Sequence, residues 1–203
     1  MYAIVEDNKI KQIITNPKSI IVGDVRYPAK IFQLWSKSEL NNIGIYEVIT
    51  DSTNKKDEAY YINTNEEYNF SDNQVTRSWG TATPKRLEDE DAVDEDGENI
   101  LDDDGNQVIN YGLKTEKKRI VKQQASGLLA PTDWYVVKAT EVADYNVPEN
   151  ITTFRADVRS KSNEMETQID ACTNVDELKT LYEYTRQEDG TITRLLAEFP
   201  QEI

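Results

Sequence analysis

The feature that most constrains the fold is a run of acidic residues in the middle of the chain. Residues 88–104, EDEDAVDEDGENILDDD, contain 11 acids and no base. Because burying ionised carboxylates without partners is very costly, this run must face solvent. Removing its charges from the formal net charge of −15 leaves only about −4 for the remaining residues. We therefore expect the acidic run to separate two differently organised parts of the chain.

The spacing of apolar residues changes across the acidic run. Before it, short segments alternate between apolar and polar residues, and after it the apolar residues recur at helical spacing. The sequence therefore predicts an α+β protein in three parts. These are a β-rich N-terminal domain of short antiparallel strands at 1–83, an acidic connector with Asp-Gly turns at 84–109, and a helical C-terminal domain at 110–203.

Local signals predict several boundaries within the N-terminal domain. The segments YAIVED and IKQIIT read as two strands of a hairpin that turns at Asn8-Lys9. Ser36 precedes Glu39 by three residues, a capping-box spacing that predicts the start of a short helix. Ser71-Asp72-Asn73 reads as a turn between two later strands.

The C-terminal domain is predicted to contain a helical hairpin and a third helix. Gly127 and Pro131 mark the end of the first helix, and Asn150 is a candidate cap for the second. Asn174 is a candidate cap for the third helix. We expect the first two helices to be joined by an extended arm. The apolar face expected on the second helix comprises Ile151, Phe154, Val158, Met165 and Ile169.

Composition argues against several classes of function. The net charge of −15 disfavours nucleic acid and anionic membrane surfaces, since both attract clustered Lys and Arg. The chain contains no histidine, which excludes Ser-His and Cys-His nucleophile pairs and His-ligated metal sites. Its single cysteine, Cys172, cannot form an intrachain disulfide. We therefore expect a non-enzymatic protein with no catalytic, cofactor-binding or metal-binding residues.

The acidic run contains an eight-residue repeat, DEDGENIL followed by DDDGNQVI. Calcium is one interpretation, because hard oxygen ligands around a glycine turn suit that ion. However, the ligand spacing of an EF-hand would place Ala92 or Ile100 at its first position. We therefore interpret the repeat as turns in a small hairpin or a solvated linker, with no site-bound calcium.

The stretch GLLAPTDWYVVKATEVADYNVPE, residues 127–149, is the most organised junction in the chain. Pro131 interrupts the first helix, and Asp133 is suited to bond its own local backbone in an Asx turn. We expect Trp134 to fold back under Leu128 and Leu129 and to lock the hairpin. A ligand site at Trp134 is the alternative interpretation.

The segment from about 114 to 171 resembles the C-terminal segment of tailed-phage tail-fibre assembly proteins and tail assembly chaperones. The resemblance covers about 60 of the 203 residues. The family more often has Trp or Tyr before the first arginine, so Phe154 departs from its pattern. Residues 1–83 also resemble the opening part of uncharacterised proteins encoded beside marine-phage tail genes. The positions that carry the first resemblance are Leu128, Leu129, Thr132, Asp133, Trp134, Val147, Pro148, Phe154, Arg155 and Arg159.

This resemblance implies a bacteriophage protein of the tail or tail fibre. We expect a virion structural component that attaches to tail or tail-fibre proteins as a homo- or hetero-oligomer. It would pass from the host cytoplasm during assembly to the virion tail. A transient assembly chaperone and a carbohydrate-binding adhesion module in 1–83 are the alternatives. Arg155 and Arg159 lie one helical turn apart, and either partner carboxylates or the chain's own acids are suitable ligands for them.

Overall fold

A computed structural model describes residues 1–201, and the chain divides into two compact units. The first unit is Met1–Pro84 and is rich in strands, whereas the second begins at Lys85 and holds the long helices. The predicted α+β class is therefore confirmed. Residues 85–109, which we predicted as a connector, lie within the second unit.

The first unit is built from nine strands and two short helices. Five of the strands form one sheet, and the others form two separate two-stranded pairs. The strands are β1 (Tyr2–Glu6), β2 (Lys9–Ile14), β3 (Ile20–Val22), β4 (Val25–Tyr27), β5 (Ile45–Thr50), β6 (Tyr61–Ile62), β7 (Glu67–Ser71), β8 (Gln74–Ser78) and β9 (Thr83–Pro84); the helices are α1 (Ile31–Leu34) and α2 (Lys37–Asn42).

The five-stranded sheet has the order β2-β1-β5-β8-β7 and two apolar faces. Its neighbours pair antiparallel except β5 and β8, which are parallel. The edge strands β2 and β7 lie close together, so the sheet curls around a small core that includes Ala3, Val5 and Val75. A second core packs Ile4 and Ile45 against Phe32 of α1 and Leu40 of α2. The sequence did not predict the parallel pair.

Two matching tight turns connect strands of this sheet. Asp7 and Asn8 join β1 to β2 with positive φ angles of 52° and 59°, one residue earlier than we predicted. Asp72 and Asn73 join β7 to β8 with φ angles of 51° and 58°, at the predicted turn. Both pairs adopt the left-handed conformation of a type I′ turn, which Asp and Asn tolerate well.

The predicted capping box at α2 is confirmed. The Ser36 hydroxyl accepts a hydrogen bond from the Glu39 backbone N–H at 3.3 Å, and a Glu39 carboxylate oxygen accepts one from the Ser36 N–H at 2.7 Å. Two backbone donors that the helix leaves unpaired are satisfied in this way.

As far as residue 201, the second unit contains four α-helices, a 3₁₀ turn and two pairs of short strands. Helices α3 and α5 are its two longest elements and pack side by side. The elements are β10 (Glu90–Asp91), β11 (Ile109–Asn110), α3 (Leu113–Leu129), the 3₁₀ turn Ala130–Thr132, α4 (Asp133–Glu141), α5 (Glu149–Ala171), α6 (Val175–Tyr182), β12 (Thr185–Arg186) and β13 (Ile192–Thr193).

Helix α3 ends at Leu129, between Gly127 and Pro131, where the end of the first helix was predicted. Two other predicted boundaries in this unit are corrected. The expected extended arm is largely helical, since the 3₁₀ turn leads directly into α4. Pro148, with φ of −54°, is the N-cap of α5 in place of Asn150. Asn174 is confirmed as a cap, because its side chain accepts a hydrogen bond from the Glu177 N–H at 2.9 Å.

The acidic run forms two consecutive hairpins. Asp94 and Asp102 each begin a turn in which a carboxylate oxygen accepts hydrogen bonds from two later backbone N–H groups. Gly97 and Gly105 follow with φ angles of 84° and 81°, the left-handed conformation that glycine adopts without strain. The predicted Asp-Gly turns are therefore confirmed. Absence of site-bound calcium stays a prediction.

The eight-residue repeat places three residues where their backbone groups bond to one another. The Ile100 N–H donates to the Ala92 carbonyl, the Val108 N–H to the Ile100 carbonyl, and the Ala92 N–H to the Val108 carbonyl, all at 2.8–2.9 Å. These three residues are eight positions apart, so the repeat closes a ring of three backbone hydrogen bonds. The Gln107 side-chain amide also donates to the Ala92 and Val108 carbonyls. Every acid of residues 88–104 remains exposed.

We expect acid to loosen the second hairpin. Hydrogen bonds from the backbone N–H and side-chain amide of Asn106 lower the pKa of Asp102. A lowered folded-state pKa stabilises the hairpin at pH values above the unfolded pKa of about 3.9, and this contribution is lost as the pH falls through the folded value. NMR titration of the Asn106 amide should give a midpoint below about 3.9 that disappears in Asp102→Asn. A midpoint at or above that value would contradict the prediction.

Candidate interaction site

Helix α4 is unusual because none of its residues is buried. It spans Asp133–Glu141 and still has an apolar sequence, DWYVVKATE. Trp134 is 51% exposed, and Val136 and Val137 are also exposed. Isolated helices of this length are marginal in water, so α4 depends on contacts at its ends or on a partner.

The start of α4 is held by Arg155 of helix α5. The Arg155 Nη2 lies 2.8 Å from the Asp133 Oδ1. The Nη1 of the same side chain donates to the Thr132 Oγ1 at 2.6 Å and to the Leu129 carbonyl at 3.0 Å. We call these four residues the Arg155 clamp. It satisfies the last carbonyl of α3 and fixes the first residue of α4 with a single planar guanidinium.

The Arg155 clamp is mostly closed to solvent. Arg155 is 8% exposed and Thr132 is 6% exposed, and the Thr132 hydroxyl also donates to the Leu129 carbonyl at 2.8 Å. Arg155 therefore pairs with an acid of its own chain, Asp133, and not with a carboxylate of a partner. The predicted Asx turn at Asp133 is wrong, because Asp133 has helical backbone angles and its carboxylate faces Arg155.

Arg159 differs from Arg155 in its surroundings. Its side chain is exposed, and its Nη1 donates to the Arg155 carbonyl at 3.3 Å. It forms no ion pair with a residue in the range 1–201. The structure does not bring the two arginines into one site.

Three of the predicted residues form the apolar support beneath the clamp. Leu128 and Leu129 pack against a buried cluster of Ala125, Phe154 and Val158. Phe154, the position at which the chain departs from the family pattern, is therefore a core residue.

Pro148 is the N-cap of helix α5, and its carbonyl accepts a hydrogen bond from the Thr152 N–H at 3.0 Å.

The expectation that Trp134 locks the hairpin is wrong. The cluster around Leu128 and Leu129 is filled by Phe154, and Trp134 is not part of it. Trp134 lies in the first turn of α4, and its ring centroid is 3.8 Å from that of Tyr135. The indole N–H donates to no described residue. A large aromatic side chain with a free polar end is thus presented outward.

One face of α4 combines apolar and cationic groups. Trp134, Val137 and Lys138 are spaced i, i+3 and i+4, which places them on the same side of the helix. The Lys138 Nζ lies 5.8 Å from the Trp134 ring centroid and 4.3 Å from that of Tyr145. We call Trp134, Val137 and Lys138 the α4 face. Exposed aromatic side chains are enriched at protein-binding surfaces.

A group of metal-binding side chains or Cys172 could carry another kind of chemistry among residues 1–201. No group of three or more Cys, Asp or Glu side chains in this range is arranged to hold a metal ion. Burial raises the pKa of the Cys172 thiol, which makes it a weak nucleophile. None of the helices in the described part of the chain is long and apolar enough to cross a membrane.

Comparisons with known proteins do not place the chain in a family. No protein-family model, curated protein or solved structure matches the chain.

Sequence reasoning missed α4 itself, although a signal was present. No glycine or proline lies between Asp133 and Val147, and Trp134, Val137 and Lys138 have helical spacing. Pro131 and Asp133 are turn signals that oppose this helical spacing, so the sequence alone favours an extended arm.

Proposed function

We propose that the protein is a non-enzymatic component of a bacteriophage tail or tail fibre, and that the α4 face attaches it to another tail protein. The observation that carries this proposal is the exposure of α4. A nine-residue helix that buries none of its residues gains little from folding unless something covers it. A partner that packs on Trp134 and Val137 would supply the missing burial.

The Arg155 clamp makes α4 suited to this role. It fixes the first residue of α4 against helix α5, so the start of α4, where Trp134 lies, is positioned before a partner arrives. Preorganised surfaces bind more tightly because less conformational entropy is lost on association. The exposed Trp134 supplies a large and rigid anchor, which is the kind of side chain that dominates binding energy.

The resemblance to phage tail proteins supports the same assignment. Of the positions that carry it, Leu129, Thr132, Asp133 and Arg155 form the Arg155 clamp, and Leu128 and Phe154 support it. The segment that resembles those proteins is therefore the segment that presents α4. We propose that its partner is a tail or tail-fibre protein and that the complex is a homo- or hetero-oligomer.

A virion structural component and a transient assembly chaperone differ in whether the protein is retained in the finished particle. A structural component should appear in mass spectrometry of purified particles at a small integer copy number that matches the symmetry of the tail. A transient assembly chaperone should be absent from particles and present in a soluble complex with the fibre. We propose the first, with the protein in the host cytoplasm during assembly and in the virion tail afterwards.

Trp134→Ala is expected to separate folding from binding. Because Trp134 is half exposed, its removal should change the free energy of unfolding by no more than about 0.5 kcal/mol. The same change should weaken the complex with the tail or fibre partner about 30-fold, corresponding to the roughly 2 kcal/mol expected of a hot-spot residue. Co-expression followed by size-exclusion chromatography and affinity measurement would test both parts.

Ile192→Ala is the matched control for this variant. Ile192 is 66% exposed and lies on β13 of the same unit, outside α4. It should leave both stability and binding unchanged. A Trp134→Ala protein that binds the partner as well as the Ile192→Ala protein would remove the α4 face from the proposal.

A further inference from the structure

The first unit contains a cleft beside α2 that no part of the proposed function uses. Its volume is about 290 Å³, near the lower end of the range of about 300–1,000 Å³ typical of small-molecule sites. Two aromatic side chains line it, namely Tyr2 and Trp35, together with polar side chains from α2, β5 and the β7–β8 turn. Tyr46 also borders the cleft, but its ring packs on the opposite face of the sheet. The cleft therefore has room for one ring-sized ligand.

The aromatic rings of the cleft are held in place by other rings. Tyr2 packs against Phe32 with a centroid distance of 4.7 Å. Trp35 contacts Tyr27 edge-on at 5.7 Å. Both lining rings are half-buried, so each retains some exposed surface. Rings that are already fixed lose little entropy when a ligand packs on them.

Hydrogen-bond donors and acceptors both line the same cleft. Asp72 and Asn73 lie in the tight β7–β8 turn, and their side chains make no hydrogen bond to any residue in the described range 1–201. The Lys37 Nζ lies 2.5 Å from the Glu47 Oε2, so these two charges compensate each other. Carboxylate acceptors and amide donors are thus available beside apolar ring surfaces.

We propose that this cleft binds one neutral saccharide unit. A pyranose ring presents apolar C–H faces that pack on aromatic rings and hydroxyl groups that both donate and accept hydrogen bonds. Asp72 would accept from ligand hydroxyls, and the Asn73 amide would donate to them. The charges of Lys37 and Glu47 compensate each other, so the cleft carries the uncompensated negative charge of Asp72. This charge disfavours phosphate and carboxylate ligands. The sequence left a carbohydrate-binding role open for residues 1–83, and this cleft gives it a location.

The full-length protein can be tested with four neutral probes, the methyl glycosides of glucose, galactose, mannose and N-acetylglucosamine. Saturation-transfer NMR should detect binding of at least one of them with a millimolar Kd. Asp72→Gly removes the carboxylate and keeps the turn, because glycine readily adopts a positive φ. It should raise the Kd about tenfold, the effect of losing one hydrogen bond to a charged group.

Asp7→Gly is the matched control, since Asp7-Asn8 forms the same type of turn outside the cleft. This variant should bind the glycoside like the wild type. Failure of all four glycosides to bind, or equal Kd values for the two variants, would overturn the proposal. Preferential binding of inorganic phosphate or of choline would also overturn it. Because Trp134→Ala leaves this cleft intact, the result is independent of the proposed attachment through α4.

Discussion

Arg155→Met is expected to lower the free energy of unfolding by roughly 2–3 kcal/mol, because it removes three charge-assisted contacts from a site largely closed to solvent. The Thr132 hydroxyl and Leu129 carbonyl would lose their guanidinium partner in a buried position. The Asp133 side chain is 59% exposed and regains water, so the effect should be smaller than the loss of a fully buried ion pair. Urea denaturation monitored by circular dichroism would measure it.

Arg159→Met is the matched control, since Arg159 lies one turn further along α5 and is exposed. It should cost less than about 0.5 kcal/mol. Arg155→Lys should fall between the two, because lysine keeps the charge and lacks the planar fork that reaches three acceptors. Equal stabilities of Arg155→Met and Arg159→Met would show that the clamp does not stabilise the unit.

Loss of the clamp should also affect attachment. Without Arg155, Asp133 and Thr132 no longer fix the start of α4. We therefore expect Arg155→Met to weaken partner binding although Arg155 itself is buried and does not contact the partner. Trp134→Ala weakens binding without loss of stability, so the two variants distinguish a residue that positions α4 from one that contacts the partner.

Gly112→Ala is expected to destabilise the protein by about 2–3 kcal/mol through steric overlap with backbone atoms. A Cβ at Gly112 would lie less than 3.0 Å from the backbone of Leu87 and Glu88. Backbone atoms cannot rotate away as a side chain does, and this backbone is itself fixed. The Leu113 N–H donates to the Arg86 carbonyl at 3.0 Å and the Lys114 N–H to the Leu87 carbonyl at 3.1 Å.

Gly127→Ala provides a control with the opposite sign. Gly127 lies within α3, and an added Cβ meets nothing within 4 Å. Alanine favours the helix, so this variant should be stabilised by up to about 1 kcal/mol. Thermal unfolding of both variants would test the prediction. If Gly112→Ala melts at or above the temperature of the wild-type protein, the segment before α3 does not pack as described.

Local sequence signals predicted the local structure well. The capping box of Ser36 and Glu39, the Asn174 cap and the Asp-Gly turns each depend on a few neighbouring residues, and each is confirmed. The α+β class followed from the change in apolar spacing across the acidic run. Features that depend on distant residues were not predicted, such as the parallel pairing of β5 with β8.

The wrong predictions for Trp134 and Asp133 also arose because the contacts concerned involve residues that are distant in sequence. Trp134 was expected to fold back under Leu128 and Leu129, but Phe154, 20 positions away in sequence, packs against that leucine pair. Asp133 was assigned a local hydrogen bond because its true partner, Arg155, is 22 positions away in sequence. No signal near Asp133 indicates that partner.

Hydrogen–deuterium exchange in residues 133–141 tests the central proposal most directly. In the isolated protein, amides of α4 should exchange quickly, because the helix buries no residue and opens easily. In the complex with the tail or fibre partner, the same amides should be strongly protected while those of β12 and β13 remain unchanged. Equal exchange of α4 in the free and bound protein, with new protection confined to residues 1–84, would contradict attachment through the α4 face.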